Sequence, residues 1–310
     1  MERLVNLRNL LNHGTKVLCK VPKGFKKLTG LQTLHGFYAG KDWSKLGYLK
    51  KLDQLSGSLA LIIRLRDEKD VSEARKAKLT NKIHIQKLKI LFNDGTGRTD
   101  EEKLLRNEAL EALQPPPNLR DLEISDYKGT KFPSWMSSCL NHLRVLEIQE
   151  CNYMSTLPCL GKLPELEELS LWRMKELKYV GREFLGVAAG DADRSMKWSS
   201  VAIMAFPKLK KLSFYDCPRW EKWEDITAEE AGSATVSIMP CLRELKISYC
   251  GLRELPHRLL GKAPSLEELR LDYSFHLWEH YGEKGADRRS LSHIPRLSVG
   301  YLWHWQANTL

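Results

Sequence analysis

The chain has 310 residues, 42% of them apolar and 28% charged, with a formal net charge of +10. That length can bury about three quarters of its unfolded surface, and the balance is globular rather than disordered or membrane-embedded. No apolar run reaches the ~18 residues that a bilayer crossing needs, and the opening MERLVNLRNLLNHGTK lacks a signal-peptide apolar stretch.

The charge is unevenly placed. Residues 1–99 hold 21 Lys and Arg against 8 Asp and Glu, whereas the remainder holds 28 against 31. Lys16, Lys20, Lys23, Lys26, Lys27, Lys41, Lys45, Lys50 and Lys51 form a basic stripe interleaved with Phe25, Phe37, Tyr38, Trp43 and Tyr48. Such a face suits an acidic protein surface, nucleic acid or an anionic membrane. No nucleic-acid-binding module accompanies it, so protein docking at Lys23, Lys26, Lys27, Lys50 and Lys51 is the favoured reading.

Within this basic third, degenerate apolar triplets begin at Leu7, Leu31 and Leu52. The composition of 67–83 and 99–113 predicts helices, the first ending before a strand and the second before three prolines.

From Ile85 the spacing L-x-x-L-x-L/I recurs. It runs through Ile85/Leu88/Ile90, Leu119/Leu122/Ile124, Leu143/Leu146/Ile148 and Leu166/Leu169/Leu171. It continues through Leu209/Leu212/Phe214, Leu242/Leu245/Ile247, Leu266/Leu269/Leu271 and a weaker Ile294/Leu297/Val299. The cleanest units start 24 and 23 residues apart, the period of a leucine-rich repeat. In x-L-x-L-x both apolar side chains point to one side of a short strand. No unit can bury that side alone, so units stack and their strands form one parallel sheet. The predicted fold is α/β: a leucine-rich-repeat solenoid, or horseshoe, with a parallel concave sheet and an irregular or helical convex side.

Phe132-Pro133, Leu157-Pro158 and Leu255-Pro256 mark turns on the convex half of their units. Longer unit spacings leave small or polar stretches that read as extruded loops at 182–205 and 224–238. The aromatic end RLSVGYLWHWQANTL reads as a cap on the last coil. One domain over 1–310 is expected, basic and degenerate over 1–114 and regular over 115–310.

Seven cysteines, an odd number, with no C-x-x-C pair and no N-x-S/T sequon, point to a reducing compartment, the cytoplasm with the nucleus as second choice. Cys151, Cys217 and Cys250 share one repeat position, where a small side chain turns inward to backbone groups of the next coil. In His276-Leu-Trp-Glu-His280 the glutamate adjoins the second histidine, not the first as H-E-x-x-H metal chemistry requires. No catalytic, cofactor-binding or metal-binding residues are singled out, and no enzyme is expected.

Positions 3, 5, 7 and 8 of each unit face the concave side. They give an acidic patch, Asp121, Glu123, Asp126, Glu147 and Glu150, followed by an aromatic and cationic strip. The strip comprises Trp172, Arg173, Lys211, Tyr215, Lys246, Tyr249, Arg270 and Tyr273. Trp, Tyr and Arg carry binding energy at protein interfaces, although strands also favour aromatics for their own packing.

The stretches SGSLALIIRLRDEKDVSEARKAKLTNKIHIQKLKILF (56–92), EALEALQPPPNLRDLEISDYKGTKFPSWM (108–136) and LEIQECNYMSTLPCLGKLPELEELSLWRMKELKYVG (146–181) carry a resemblance. So do VPKGFKKLTGLQTLHGF (21–37) and FPKLKKLSFYDCPRWEKW (206–223). They resemble the leucine-rich-repeat region of plant intracellular nucleotide-binding disease-resistance receptors, in particular the cereal coiled-coil class. The resemblance implies a sensor and autoinhibitory array that detects a pathogen effector, or a host protein altered by one. It also implies basic N-terminal repeats that dock on the receptor's nucleotide-binding domain. No G-x-x-x-x-G-K-S/T loop occurs, GTGR at 95–98 lacking the lysine, so the expectation is a fragment or truncated product that does not bind nucleotide or signal alone. A free-standing scaffold or decoy is the second reading, and nucleic-acid binding through the basic third is another.

Overall fold

The computed structural model describes residues 4, 6–11, 21, 24–40, 43–93, 99–186 and 203–300. Strands β1 (Asn9–Leu10) and β2 (Thr33–Leu34) pair in parallel at the N-terminal end. There follow β3 (Gly36–Gly40), β4 (Ser56–Arg64), α1 (Glu68–Ala77), β5 (His84–Phe92), α2 (Asp100–Ala112), β6 (Asp121–Ser125), β7 (Val145–Gln149) and β8 (Glu168–Trp172). The later coils contain β9 (Tyr179–Val180), β10 (Ile203–Ala205), β11 (Lys211–Tyr215), β12 (Lys222–Trp223), α3 (Ala228–Gly232), β13 (Val236–Ile238) and β14 (Glu244–Ser248). The last are α4 (His257–Leu260), β15 (Glu268–Asp272), α5 (Phe275–Tyr281) and β16 (Arg296–Gly300).

Ten strands form one parallel sheet in the order β16-β15-β14-β11-β8-β7-β6-β5-β4-β3. The repeat leucines set its register. Leu122, Leu146, Leu169, Leu212, Leu245 and Leu269 lie opposite one another, as do Ile124, Ile148, Leu171, Phe214, Ile247 and Leu271. All are buried in one continuous apolar core. Each such side chain contributes about 1.5–3 kcal/mol by leaving water. The fold is the leucine-rich-repeat solenoid that the spacing predicts.

A left-handed residue ends each regular strand. Asp126, Glu150, Arg173, Asp216, Tyr249 and Tyr273, all at position 8, have φ of 54–55°. That conformation costs a non-glycine residue about 1–2 kcal/mol. Each of these N–H groups donates to the position-7 carbonyl of the next coil, from 2.7 Å (Arg173 to Tyr215) to 3.0 Å (Tyr249 to Asp272). The bond ties neighbouring coils as the chain leaves the sheet.

At position 9 the chain turns inward, and Cys151, Cys217 and Cys250 are buried. Their thiols bond the carbonyl two residues earlier in their own coil (Gln149 at 3.5 Å, Tyr215 at 3.8 Å, Ser248 at 3.3 Å), not backbone of the next coil as expected. Burial pushes the Cys151 thiol up to about 12.

The predicted helices are present as α1 and α2, capped by the side chains of Asp67 and Thr99 and burying Val71, Ala74, Ala77, Ala109 and Leu110. Carboxylates also cap convex turns of adjoining coils. Glu111 accepts from Ser134 N at 2.8 Å, and Asp225 accepts from Arg258 N at 3.0 Å and Leu259 N at 2.8 Å.

Two expectations fail in detail. The unit read from Leu52 is displaced: Leu52 is buried in a turn, and β4 turns Leu59, Leu61 and Ile63 inward after a register shift at Gly57/Ser58. The stretch read as a loop at 224–238 contains α3 and β13. Thr227 and Glu230 form a reciprocal capping box on α3, and β13 pairs with β10, so the end of the other expected loop is also strand. Arg182 pairs with the buried Glu230, tying the root of the first insertion to α3. The expected cap at 301–310, residues 187–202, GTGR at 95–98, and Lys16, Lys20, Lys23 and Lys41 lie outside the described residues.

Candidate protein-recognition surface

Trp172 and Tyr215 occupy position 7 of their coils, and Tyr249 and Tyr273 occupy position 8. The strand register puts Trp172 opposite Tyr215. The left-handed turns carry the next two rings to the same end of the sheet, and the four make one row. Ring centroids are 4.9 Å apart for Trp172–Tyr215, 5.2 Å for Tyr215–Tyr249 and 4.4 Å for Tyr249–Tyr273, the last pair stacked within 7°. Trp172, Tyr249 and Tyr273 are 39%, 42% and 41% exposed, so the row packs against itself while its faces remain open to solvent. Such ring pairs contribute about 0.5–1.5 kcal/mol each beyond area burial. That stiffens the row before any partner arrives.

The four cations of the expected strip are close by, but each is paired. Arg173 reaches Glu150 at 2.6 Å and Asp216 at 4.0 Å, and Lys211 reaches Glu168 at 2.8 Å. Lys246 pairs with Glu244, and Arg270 with Glu268 at 2.5 Å. The Arg270 guanidinium holds the Glu268 carboxyl below the usual carboxylate range. On the outward positions of β8, β11, β14, β15 and β16 and the turns after them, Arg173, Lys211, Lys246, Arg270 and Arg296 balance Glu168, Asp216, Glu244, Glu268 and Asp272. The surface is therefore an aromatic row in a neutral, internally paired frame, not a cationic one.

The central acidic patch is likewise offset. Lys87 pairs with Asp121 at 2.5 Å, Lys89 with Glu123, and Lys128 with Asp126 at 3.2 Å. Lys87 and Lys89 stand at positions 3 and 5 of the unit starting at Ile85, so the same frame that selected the acids could have selected their partners.

Lys26 and Lys27 lie in a 3-10 turn at Phe25–Lys27, and Lys50 and Lys51 in another at Leu46–Lys51. These are equivalent convex positions on successive coils, so the lysines sit across the sheet from the aromatic row. All four are exposed, and none forms an ion pair among the described residues. Lys26 Nζ lies 4.7 Å from the Tyr48 ring. His276 and His280 fall on α5, where His280 Nδ1 meets Asp287 at 2.9 Å. No described helix is long and apolar enough to cross a membrane.

Stacked parallel strands, each turning one row of residues outward and one inward, define a leucine-rich-repeat protein. Residues 46–174 match the family of R13L1/DRL21 leucine-rich repeats. The chain is 31% identical over 241 residues to a protein named disease resistance RPP13-like protein 1 of Arabidopsis thaliana, the match covering 76% of this chain and 21% of that one. It is 33% identical over 243 residues to one named disease resistance protein RGA4 of Solanum bulbocastanum, covering 77% and 22%. The array belongs with the leucine-rich-repeat regions of plant disease-resistance proteins. It spans about a fifth of the length of these curated relatives. Among solved structures, a TLR13–ssRNA13 complex superposes with a TM-score of 0.51 at 16% identity, covering 96% of this chain and 40% of that one, a likeness of fold alone.

Proposed function

We propose that the chain is the recognition and autoinhibitory leucine-rich-repeat region of a plant intracellular immune receptor, acting in the cytoplasm without a catalytic step. The observation that carries this reading is the stiff, exposed row Trp172–Tyr215–Tyr249–Tyr273. Large rigid rings bury much area on binding at little entropic cost, the usual source of interface hot spots. A pathogen effector, or a host protein altered by one, would cover the row. The convex lysines Lys26, Lys27, Lys50 and Lys51, together with Lys23, would dock on the nucleotide-binding domain of the full-length receptor and hold it at rest. Recognition then shifts a two-state receptor by the difference in affinity for its closed and open states.

The test is Trp172→Ala with Tyr215→Ala in the full-length receptor. Effector-triggered response should disappear while circular dichroism and the melting temperature of the array stay near wild type. In the same assay, charge reversal at Lys26, Lys27, Lys50 and Lys51 should raise the resting signal. A double-alanine receptor that still responds overturns the assignment of the row.

A further inference from the structure

Position 2 of each coil lies on the rim where the chain enters the strands, and its backbone is held from both sides. Arg144 N donates to Arg120 O at 2.7 Å, and Glu167 N donates to Arg144 O at 2.8 Å. Successive side chains therefore leave the rim about one strand spacing, ~4.8 Å, apart. Further along the rim opposite charges meet: Lys210 bonds Glu167 at 2.6 Å, and Lys208 holds Glu165 at 2.6 and 2.8 Å.

The alternation fails between β5 and β7. There Arg120 and Arg144 stand side by side with His142 around a recess of about 270 Å³, with Gln86 on its wall. Arg120 has no ion pair among the described residues. Arg144 reaches Glu167 only at 3.9 Å, and that carboxylate already accepts from Lys210. Glu165 also lines the recess, but its two oxygens are taken by Lys208. Two neighbouring guanidiniums with no free carboxylate between them repel one another, and the fold supplies nothing to offset this.

We propose that this recess binds a phosphate monoester. Each guanidinium presents a planar fork of N–H donors that matches a pair of phosphate oxygens. A dianion with three terminal oxygens can answer both forks together, whereas one carboxylate has oxygens for one fork only. The Gln86 amide adds a neutral donor, and the volume holds the phosphate with little more than a small attached body.

The test titrates the protein with inorganic phosphate at constant ionic strength, chloride being the control, and follows the Arg Nε–H signals by NMR. Saturable shifts should appear at Arg120 and Arg144 and not in chloride. Arg120→Gln with Arg144→Gln, both exposed and melting as wild type, should weaken binding about tenfold or more, the loss expected for charge-assisted bonds. A linear drift equal to that in chloride, or unchanged affinity in the double variant, overturns the site. Two further probes separate the sources of the ester. Tighter binding of O-phosphotyrosine than of inorganic phosphate supports a modified protein side chain, and tighter binding of glucose 6-phosphate supports a free metabolite. If both bind more weakly than inorganic phosphate, the monoester assignment is wrong.

Discussion

Leu146→Ala tests the geometry on which the concave surface rests. Leu146 is wholly buried on β7, facing Leu122 on β6 and Leu169 on β8. The change removes three carbons, worth about 2.4 kcal/mol at ~0.8 kcal/mol each. A cavity term adds to this, because ladders on both sides keep the neighbouring strands from closing in. The range for buried Leu→Ala changes is ~2–5 kcal/mol, and a site braced on two sides belongs in its upper half, about 3–4 kcal/mol.

Urea unfolding followed by circular dichroism gives the measurement. Solenoid stability is a sum of coils and the interfaces between them, so a weakened central coil should also broaden or split the transition. Leu297→Ala is the comparison. Leu297 is only partly buried on β16, the end strand of the sheet, with β15 as its one paired strand. It should cost about half as much or less. Equal losses at the two positions, or a loss below about 1 kcal/mol at Leu146, would refute the shared-interior reasoning.

Asp225→Ala removes the carboxylate that caps α4 from a preceding coil and should cost about 1–2 kcal/mol, read as a lower urea midpoint at unchanged slope. Lys82 is fully buried and bonded to Asp53 at 3.0 Å, and burial outweighs that partner, drawing its ammonium below the ordinary lysine value of 10.5. The folded state therefore binds fewer protons than the unfolded state between the depressed value and 10.5, so stability should rise with pH through that window. Lys82→Met should lose the alkaline rise and be as stable as wild type or more so at neutral pH. Asp53→Ala, which strands the buried charge, should cost about 1–3 kcal/mol. A Met variant as damaged as the Asp53 variant would refute this account.

The inward rows were legible because every regular coil must place apolar residues at positions 1, 4 and 6 to share one interior. Helices α1 and α2 were legible from composition, with Asp67 and Thr99 standing as caps ahead of them. The frame slipped at Leu52 because a register shift leaves no mark in apolar spacing: Leu52, Leu55 and Leu59 are all buried, and only strand pairing shows which of them starts the inward row. Helix α3 was missed although Thr227-Ala-Glu-Glu230 is a capping-box pattern, because its small and polar residues show no helical apolar stripe. The aromatic row could be read as four outward residues, but its contiguity depends on the left-handed turns that bring positions 7 and 8 together. The ion pairs were hidden for another reason. Their partners lie a whole coil away in the chain, as for Arg173 with Glu150 or Lys211 with Glu168.

That pairing separates the two proposed surfaces by their response to salt. The frame around the aromatic row sums to zero over its outward positions, so it exerts little long-range pull on a charged partner, and screening should barely change its affinity. The convex lysines have no ion pair of their own among the described residues, and a contact built on them weakens as ionic strength rises. If the lysines hold the resting state and the row reads the partner, salt should loosen the first contact while sparing the second. Raising ionic strength would then lower the partner concentration needed for activation. Two surfaces on opposite sides of one sheet, one dependent on charge and one on ring area, can be shifted independently although they share the same coils.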